Sequence, residues 1–497
     1  MIFKKLFIIY IPFILIFLTL FSFSISSSIA VLKIGTNYFN ISLDPYKYNR
    51  TNNLSINQHI FESLVTIDNN GKIIPLLASN WINVDDRTWI FNLKKNIFFS
   101  NQQPLTADDV IYSFERVNLF NNRDIASDFG INLSIIIMEK INDYSIKIVT
   151  EDIFPAFLLK LRNCSILPKN YIEKNGLSYF LDHPVGTGPY MNPEIIENTK
   201  IAGLENIKVI SLTRNEKYWG KKPYFKKVYF YLSSEDKILE LLKKEELDIA
   251  VWMNFNFFYE LPILKNYKKI SIPGLRTNFL VLNCLDKNLS NVLVRKAIYY
   301  SLDLNEITKK IFFDNSTTAN QLVSPYVIGF NPKIPLQNKN IELAKKLLSD
   351  AKLSEGFPLK LHFSNQDSIF SKIALLIKNY LSKVNIDLSL ISVSDSELSK
   401  IRKERNFQII PYSLSSGTGD ALFILSTLIH SKSGTMGQYN FSGFSDDEID
   451  NLIKKASEEF NEKKRIELYQ KIMELTMNKL PYIPLYWPNF NAVIKSN

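Results

Sequence analysis

The sequence has few of the residues that bind metals or form covalent cross-links. Among 497 residues there are 2 cysteines and 4 histidines. Cys164 and Cys284 allow at most one disulfide and cannot form a Cys-x-x-Cys motif. The histidines do not occur at metal-ligand spacing, and the zinc-protease pattern His-Glu-x-x-His is absent. The sequence therefore excludes a disulfide-rich scaffold and predicts neither a metal site nor a cofactor.

Patterns typical of enzymes and of nucleic-acid-binding proteins are also missing. The hydrolase motif Gly-x-Ser-x-Gly and the P-loop do not occur, and Gly186-Thr-Gly188 lacks the third glycine of a dinucleotide loop. The net charge of +10 is scattered along the chain, so no nucleic-acid partner is expected. Adjacent carboxylates such as Asp85 and Asp86 point in different directions. A secreted glycosidase or peptidase, which would need two carboxylates that converge in space, stays open as an alternative.

The N-terminus has the pattern of a targeting segment. Lys4 and Lys5 precede the apolar run 6–23, and Ser28 and Ala30 are small residues at the positions that a signal peptidase reads. We expect residues 1–30 to be a cleaved secretory signal peptide. The run is also about as long as a minimal membrane span, so a retained anchor is the alternative. No cysteine lies near the cleavage site, and a lipid anchor is therefore not expected.

The rest of the chain alternates between strand and helix patterns. Trp89, Phe91 and Leu93 alternate with positions that include the polar residues Thr88, Asn92 and Lys94, which predicts a half-buried strand. Helix starts are predicted where a capping side chain precedes an apolar face, at Thr106, Asp303, Asn340 and Ser445. No internal repeat and no flexible linker occurs, so the domains are expected to interleave in a mixed α/β fold.

Four motifs occur in an order that is typical of one protein family. They are Pro-Leu-Thr-Ala-Asp-Asp-Val-Ile-Tyr-Ser-Phe-Glu-Arg at 104–116, Pro-Val-Gly-Thr-Gly-Pro-Tyr at 184–190, Arg-Asn-Glu-Lys-Tyr-Trp-Gly at 214–220 and Pro-Tyr-Ile-Pro-Leu-Tyr at 481–486. With them the chain resembles the extracellular solute-binding proteins of bacterial ABC transporters, family 5, over residues 32–486. Gly186 and Gly188 in the second motif are expected to supply glycine dihedrals to a rigid turn.

The resemblance implies a two-lobed periplasmic-binding-protein fold, of the large type II, cluster C-like kind, with an extra inserted domain. Transferred to this chain, domain I comprises residues 31–67 and 184–276. The inserted domain II comprises 68–183, and domain III, the opposite lobe, comprises 277–485. Residues 486–497 make a short return to domain I. Cys164 and Cys284 then lie in different domains and are not expected to be bonded.

The resemblance also implies a function without a chemical step. A monomeric protein in the periplasm of a Gram-negative cell would capture short peptides between its lobes by hinge closure and deliver them to a membrane ABC permease and its ATPase. Alternative ligands within the family are nickel or its chelate, haem, an oligosaccharide or an antimicrobial peptide.

One loop carries the main candidate for ligand binding. In peptide-binding members of the family, an aspartate in a similar Gly-Asp loop pairs with the α-amino group of the ligand, which implies this role for Asp420, next to Gly419. Tyr412, Tyr38 and Phe39 are expected to line the same site. The alternative for Asp420 is a helix cap for a segment that starts near Ala421, because aspartate is a common capping residue.

The last residues carry a separate expectation. Only 11 residues follow Tyr486. Residues 491–494 could add one short strand to the first domain, and residues after Ile494 are expected to be exposed and poorly held, as untied termini are.

Overall fold

The computed structural model describes residues 30–37, 41–47, 55–68, 72–121, 133–155, 157–251, 265–312, 316–434 and 436–496. The chain divides into two compact units. Unit 1 is formed by Met1–Ile272 with Phe490–Asn497, as far as these residues are described, and unit 2 by Pro273–Asn489. The chain thus passes from one unit to the other twice. The division of the first of these units into domains I and II stays a prediction.

Among its described residues, unit 1 includes twelve strands and five helices, besides the end of the last strand and a helical segment at 55–57. The strands are β1 (Val31–Asn37), β2 (Val65–Ile67), β3 (Ile73–Pro75), β4 (Ala78–Asn83), β5 (Thr88–Leu93), β6 (Ile135–Asn142), β7 (Ser145–Thr150), β8 (Tyr190–Ile201), β9 (Leu204–Arg214), β10 (Lys227–Ser233), β11 (Ile249–Val251) and β12 (Tyr267–Pro273). The helices are α1 (Ala107–Asn121), α2 (Phe157–Leu161), α3 (Lys169–Asn175), α4 (Leu177–Asp182) and α5 (Glu235–Lys243).

The larger sheet of unit 1 has the order β11-β1-β10-β9-β8. Strand β1 is parallel to both β10 and β11, and β9 is antiparallel to β10 and β8. Helix α5 packs on this sheet through Ile238, Leu241 and Leu242, which are buried. The apolar positions of α5 recur at helical spacing and therefore form one face that the sheet covers.

A second sheet of unit 1, with the order β4-β5-β7-β6, is antiparallel throughout. The alternation predicted for β5 is confirmed, because Trp89, Phe91 and Leu93 are all buried. Helix α1 begins at Ala107 as predicted. Its start is stabilised by the Asp109 carboxylate, which accepts hydrogen bonds from the Thr106 amide at 2.9 Å and hydroxyl at 3.1 Å.

Unit 2 contains eight helices and five strands of its own in the part that the structure describes, and it shares β18. These are β13 (Arg276–Leu282), α6 (Val292–Ser301), α7 (Leu304–Phe312), β14 (Ser316–Thr318), α8 (Ile341–Asp350), β15 (Phe357–Ser364), α9 (Ser368–Ser382), β16 (Ile386–Val393), α10 (Asp395–Glu404), β17 (Ile409–Ser415), the single turn α11 (Leu422–Ile424), α12 (Asp447–Glu458), α13 (Glu462–Lys479) and β18 (Tyr482–Lys495). A π-helical turn, Leu425–Ile429, continues α11. The sheet order is β16-β15-β17-β13-β18.

Two of the helix starts predicted in unit 2 are confirmed and one is wrong by a residue. The Asp303 carboxylate accepts from the Glu306 amide at 2.8 Å, and the Asn340 side chain accepts from the Leu343 amide at 2.9 Å. Ser445 does not cap α12. Asp446 does so, because it is the last extended residue before the helix, and its carboxylate accepts from the Ile449 amide at 3.1 Å.

The cap at Asn340 gives a simple test of these assignments. We expect Asn340→Ala to lower the free energy of unfolding by about 1 kcal/mol, because the Leu343 amide loses its acceptor. The matched control is Asn338→Ala, since Asn338 is exposed and lies just before the helix. Urea unfolding of both variants checks the prediction, and equal stability of the two would contradict it.

The expectation for the C-terminus is partly wrong. Ala492–Ile494 do add to unit 1, paired antiparallel with β11. Lys495 and Ser496, however, are not loose. The Lys495 amide donates to the Asp248 carbonyl at 2.7 Å, and the Ser496 amide donates to the Asn266 carbonyl at 2.6 Å. The reason is that β18 continues to Lys495 and also pairs with β12. Asn497 lies outside the described residues.

Both cysteines are free thiols, Cys164 in unit 1 and Cys284 in unit 2. Burial raises the pKa of the Cys164 thiol well above its ordinary value. Such a thiol stays protonated and unreactive at neutral pH.

Candidate ligand-binding site

The candidate loop connects β17 to α11 in unit 2 and includes Gly419 and Asp420. It is fixed to the segment at Ile328 by two backbone hydrogen bonds. The Ile328 amide donates to the Gly419 carbonyl at 2.8 Å, and the Ala421 amide donates to the Ile328 carbonyl at 2.9 Å. The Ser416 hydroxyl donates to the Asp420 carbonyl at 2.6 Å. The loop is therefore held on both sides of Asp420.

Two glycines leave one side of this loop open. A side chain at Gly417 or at Gly419 would meet no atom within 4 Å. Gly419 has a φ of +75°, a conformation that side chains rarely adopt. The main chain of the loop can therefore be approached closely by another group at this point.

The Asp420 carboxyl is only 1% exposed. Its Oδ1 atom accepts from the Leu422 amide at 2.8 Å, so Asp420 does cap the short helix that follows. Its Oδ2 atom is buried and has no hydrogen-bond partner among the described residues. Burial raises the pKa of this carboxyl, and the Leu422 amide opposes that effect. The capping alternative is thus present in the structure. The Arg465 charge and the Tyr469 hydroxyl also act on this carboxyl and lower its pKa.

Tyr412 lies on β17, opposite Phe279 of β13. Its ring makes edge contacts with Phe279 at 5.9 Å and with Phe441 at 5.3 Å between ring centroids. The Arg402 guanidinium lies 4.9 Å from the ring centroid. Burial raises the pKa of the Tyr412 hydroxyl. These contacts make Tyr412 a packing aromatic of unit 2, and its role in ligand binding stays a prediction.

The other two predicted site residues, Tyr38 and Phe39, lie outside the described residues. The structure therefore brings together Gly419 and Asp420, with Tyr412 on the preceding strand. The sequence analysis did not single out Arg465, whose charge acts on Asp420, or Tyr469, whose hydroxyl acts on the same carboxyl. These two residues stand one helical turn apart on α13. Their spacing of four positions places both on one face of a helix, but it does not link them to Asp420.

No group of three or more His, Cys, Asp or Glu side chains within the described residues is arranged to hold a metal ion. None of the helices within those ranges has the length and apolar character needed to cross a membrane.

Comparison with known proteins finds similarity over most of the chain. The profile described as "Bacterial extracellular solute-binding proteins, family 5 Middle" matches residues 72–436. The dipeptide-binding protein of Escherichia coli is 25% identical over 437 residues, which cover 82% of this chain and 80% of that protein. The nickel-binding periplasmic protein of the same organism is 25% identical over 491 residues, with 91% and 88% covered.

A solved structure shows the same fold. HbpA2 from Haemophilus parasuis superimposes with a TM-score of 0.83 at 22% identity, covering 94% of this chain and 95% of that one. The two-lobed α/β fold expected from the sequence motifs is confirmed by this likeness.

Proposed function

The chain belongs to the bacterial extracellular solute-binding proteins of family 5, which serve ABC transporters, and we propose that its own ligands are short peptides. The family binds and delivers ligands without a chemical step. The hydrolase alternative raised by the sequence is therefore rejected, and the proposal concerns the ligand that this chain carries.

The observation that carries the proposal is the Asp420 carboxyl with its one buried oxygen that has no hydrogen-bond partner among the described residues. A peptide ammonium removed from water needs a fixed negative partner, and charge-assisted hydrogen bonds are stronger than neutral ones. The open side of the loop at Gly417 and Gly419 leaves room for the peptide main chain. The 25% identity to a dipeptide-binding protein supports the same ligand class.

Transport and location are part of the same proposal. We propose that residues 1–30, of which 1–29 lie outside the described residues, are a cleaved signal peptide and that the mature protein works as a monomer in the periplasm. A ligand that binds one conformation better than another shifts the equilibrium between them. Peptide capture would in this way favour the closed form, which the permease recognises.

The test compares a peptide with its N-acetylated form. We expect trialanine to bind the wild-type protein at least tenfold more tightly than N-acetyl-trialanine, and Asp420→Asn to lose about tenfold in affinity for trialanine only. The expected loss of affinity is moderate because the Arg465 charge already interacts with the Asp420 carboxylate. Titration calorimetry measures both affinities. Asp446→Asn is the matched control, since Asp446 caps a helix in the same unit.

The same titration distinguishes peptides from the main alternative ligand. The 25% identity to a nickel-binding protein favours nickel or a nickel chelate as the second candidate. Saturable binding of nickel with histidine, together with no heat from either peptide, would overturn the peptide proposal.

A further inference from the structure

The Asp420 loop packs directly against the last helix, α13. Gly329, which follows the residue bonded to the loop, has a φ of +100°, and a side chain there would lie 2.7 Å from Tyr469 and 2.9 Å from Ala421. The close approach at Gly329 therefore brings the Tyr469 ring against the residue next to Asp420. Tyr469 itself is fully buried. Two hydrogen bonds from side-chain amides hold this helix in place. Gln470 Nε2 donates to the Phe330 carbonyl at 3.0 Å, and Asn331 Nδ2 donates to the Gln470 carbonyl at 3.0 Å.

Three polar atoms on these two elements are buried together without hydrogen-bond geometry. They are Asp420 Oδ2, the Tyr469 hydroxyl and Arg465 Nε, none of which has a hydrogen-bond partner within the described ranges. The Arg465 guanidinium is anchored at its other end, where Nη1 donates to the Glu459 carbonyl at 3.1 Å. The Tyr469 hydroxyl nevertheless acts on both Asp420 and Arg465, and the Arg465 charge acts on Asp420, so an acceptor, a hydroxyl and a cationic donor form one interacting group.

The charges around Asp420 act in opposite directions. Burial raises the pKa of its carboxyl, whereas the Leu422 amide, the Arg465 charge and the Tyr469 hydroxyl lower it. Glu462, one turn before Arg465 on α13, raises it again by like-charge repulsion. The segment at Ile328 contributes backbone hydrogen bonds on both sides of Asp420. The balance between a nearby cation and burial decides whether a buried carboxyl is ionised.

We propose that Arg465 and Tyr469 are positioning residues for Asp420, which hold its carboxylate ionised and oriented for the ammonium group of a peptide ligand. This inference rests on the peptide function proposed above. In the free protein the Arg465 charge interacts with the Asp420 carboxylate. In the complex the ligand ammonium is a second cationic partner, which donates to Oδ2. Preference for peptides with a free amino terminus is then set by α13 as well as by the loop.

The experiment is a pH profile of trialanine affinity between pH 5 and pH 8, measured by calorimetry. In Arg465→Met the midpoint at which affinity falls on acidification should move upward by about one pH unit, because the cation that favours ionised Asp420 is gone. Arg465→Lys should restore most of the profile, and Tyr469→Phe should give a smaller upward shift. Glu462→Gln is the opposite-sign control and should move the midpoint downward.

The outcomes distinguish the two proposals. If the wild-type protein binds neither trialanine nor its N-acetylated form, the peptide function fails and the positioning role fails with it. If the wild type prefers trialanine while Arg465→Met and Glu462→Gln, both folded by circular dichroism, keep the wild-type midpoint, only the positioning role is overturned. A simple packing role for Arg465 would lower affinity equally at every pH, which also overturns the inference.

Discussion

Replacing Arg116 with methionine is expected to lower the free energy of unfolding by about 3–5 kcal/mol, because it leaves a buried carboxylate without its partner. Arg116 Nη1 and Nη2 donate to Asp44 Oδ1 and Oδ2 at 3.1 and 2.6 Å. Both residues are buried, and the guanidinium lies 5.4 Å from the centre of the Tyr46 ring. Methionine keeps most of the side-chain length, so the loss comes from the charge and the hydrogen bonds. Urea unfolding measures it.

An exposed ion pair of the same unit provides the control. Lys147 and Glu139 are 3.3 Å apart, with 39% and 60% of their side chains exposed. Lys147→Met is expected to cost less than about 1 kcal/mol, as for most surface pairs. The double variant Asp44→Asn with Arg116→Met should regain part of the stability, because no charge is then left buried alone. A loss for Arg116→Met as small as that for Lys147→Met would contradict the prediction.

The features that could be predicted from the sequence are those that depend on residues close together along the chain. The alternation at Trp89, Phe91 and Leu93 predicts β5, and the caps at Asp303 and Asn340 predict two helix starts, because strand faces and helix caps depend on residues a few positions apart. The order of the motifs was sufficient to identify the family and, through it, the fold.

Contacts between distant parts of the chain could not be predicted in this way. Asp44 and Arg116 are 72 positions apart, and the Tyr218 hydroxyl that bonds Glu62 is 156 positions away. A hydrogen bond of this kind leaves no periodicity in the sequence. For the same reason the sequence could not decide between the cap and the ligand anchor at Asp420. The residues that act on its carboxyl, Arg465 and Tyr469, lie on a helix that is distant from it in the sequence.

The glycines of the motif at 184–190 illustrate a related limit. The sequence suggests that Gly186 and Gly188 are needed for their backbone dihedrals, but neither has a positive φ. A side chain at Gly186 would lie 2.0 Å from the Ile60 carbonyl oxygen, and one at Gly188 would lie 2.5 Å from the His59 carbonyl oxygen. These positions need glycine because another backbone segment passes closely, which only the folded structure reveals.

The Glu62 carboxyl is a buried acid held by two aromatic residues of unit 1. Its Oε1 atom accepts from the Tyr218 hydroxyl at 2.6 Å, and its Oε2 atom accepts from Trp219 Nε1 at 2.8 Å. Burial raises its pKa to about 7, and the hydrogen bonds from Tyr218 and Trp219, with smaller effects of the Thr187 hydroxyl and Lys94, only partly oppose this. The ordinary value is 4.5, so this acid ionises at higher pH in the folded state than in the unfolded chain.

The sign of the pH effect follows from this difference. Below pH 4.5 the carboxyl is protonated in both states, and its contribution to stability is complete. Between pH 4.5 and about 7 only the unfolded chain releases the proton, so stability falls as the pH rises. We expect Glu62→Gln, which stays uncharged, to gain roughly 2–3 kcal/mol relative to the wild type between pH 5 and pH 8, since each unit of pKa shift corresponds to about 1.4 kcal/mol.

Glutamine is a suitable replacement because its amide oxygen can accept from Trp219 while its amide group donates to the Tyr218 oxygen. Burial lowers the pKa of His59 from 6.5 to about 4, so His59 also makes stability depend on pH in the lower part of this range. That contribution is common to the wild type and Glu62→Gln and cancels in their comparison. Glu115→Gln, an exposed position on α1, is the control and should follow the wild type at both pH values. Urea unfolding at pH 5 and pH 8 gives the comparison. A difference between Glu62→Gln and the wild type that is the same at both pH values would show that Glu62 titrates in the folded protein as it does in the unfolded chain, and that its hydrogen bonds with Tyr218 and Trp219 offset the cost of burying its charge.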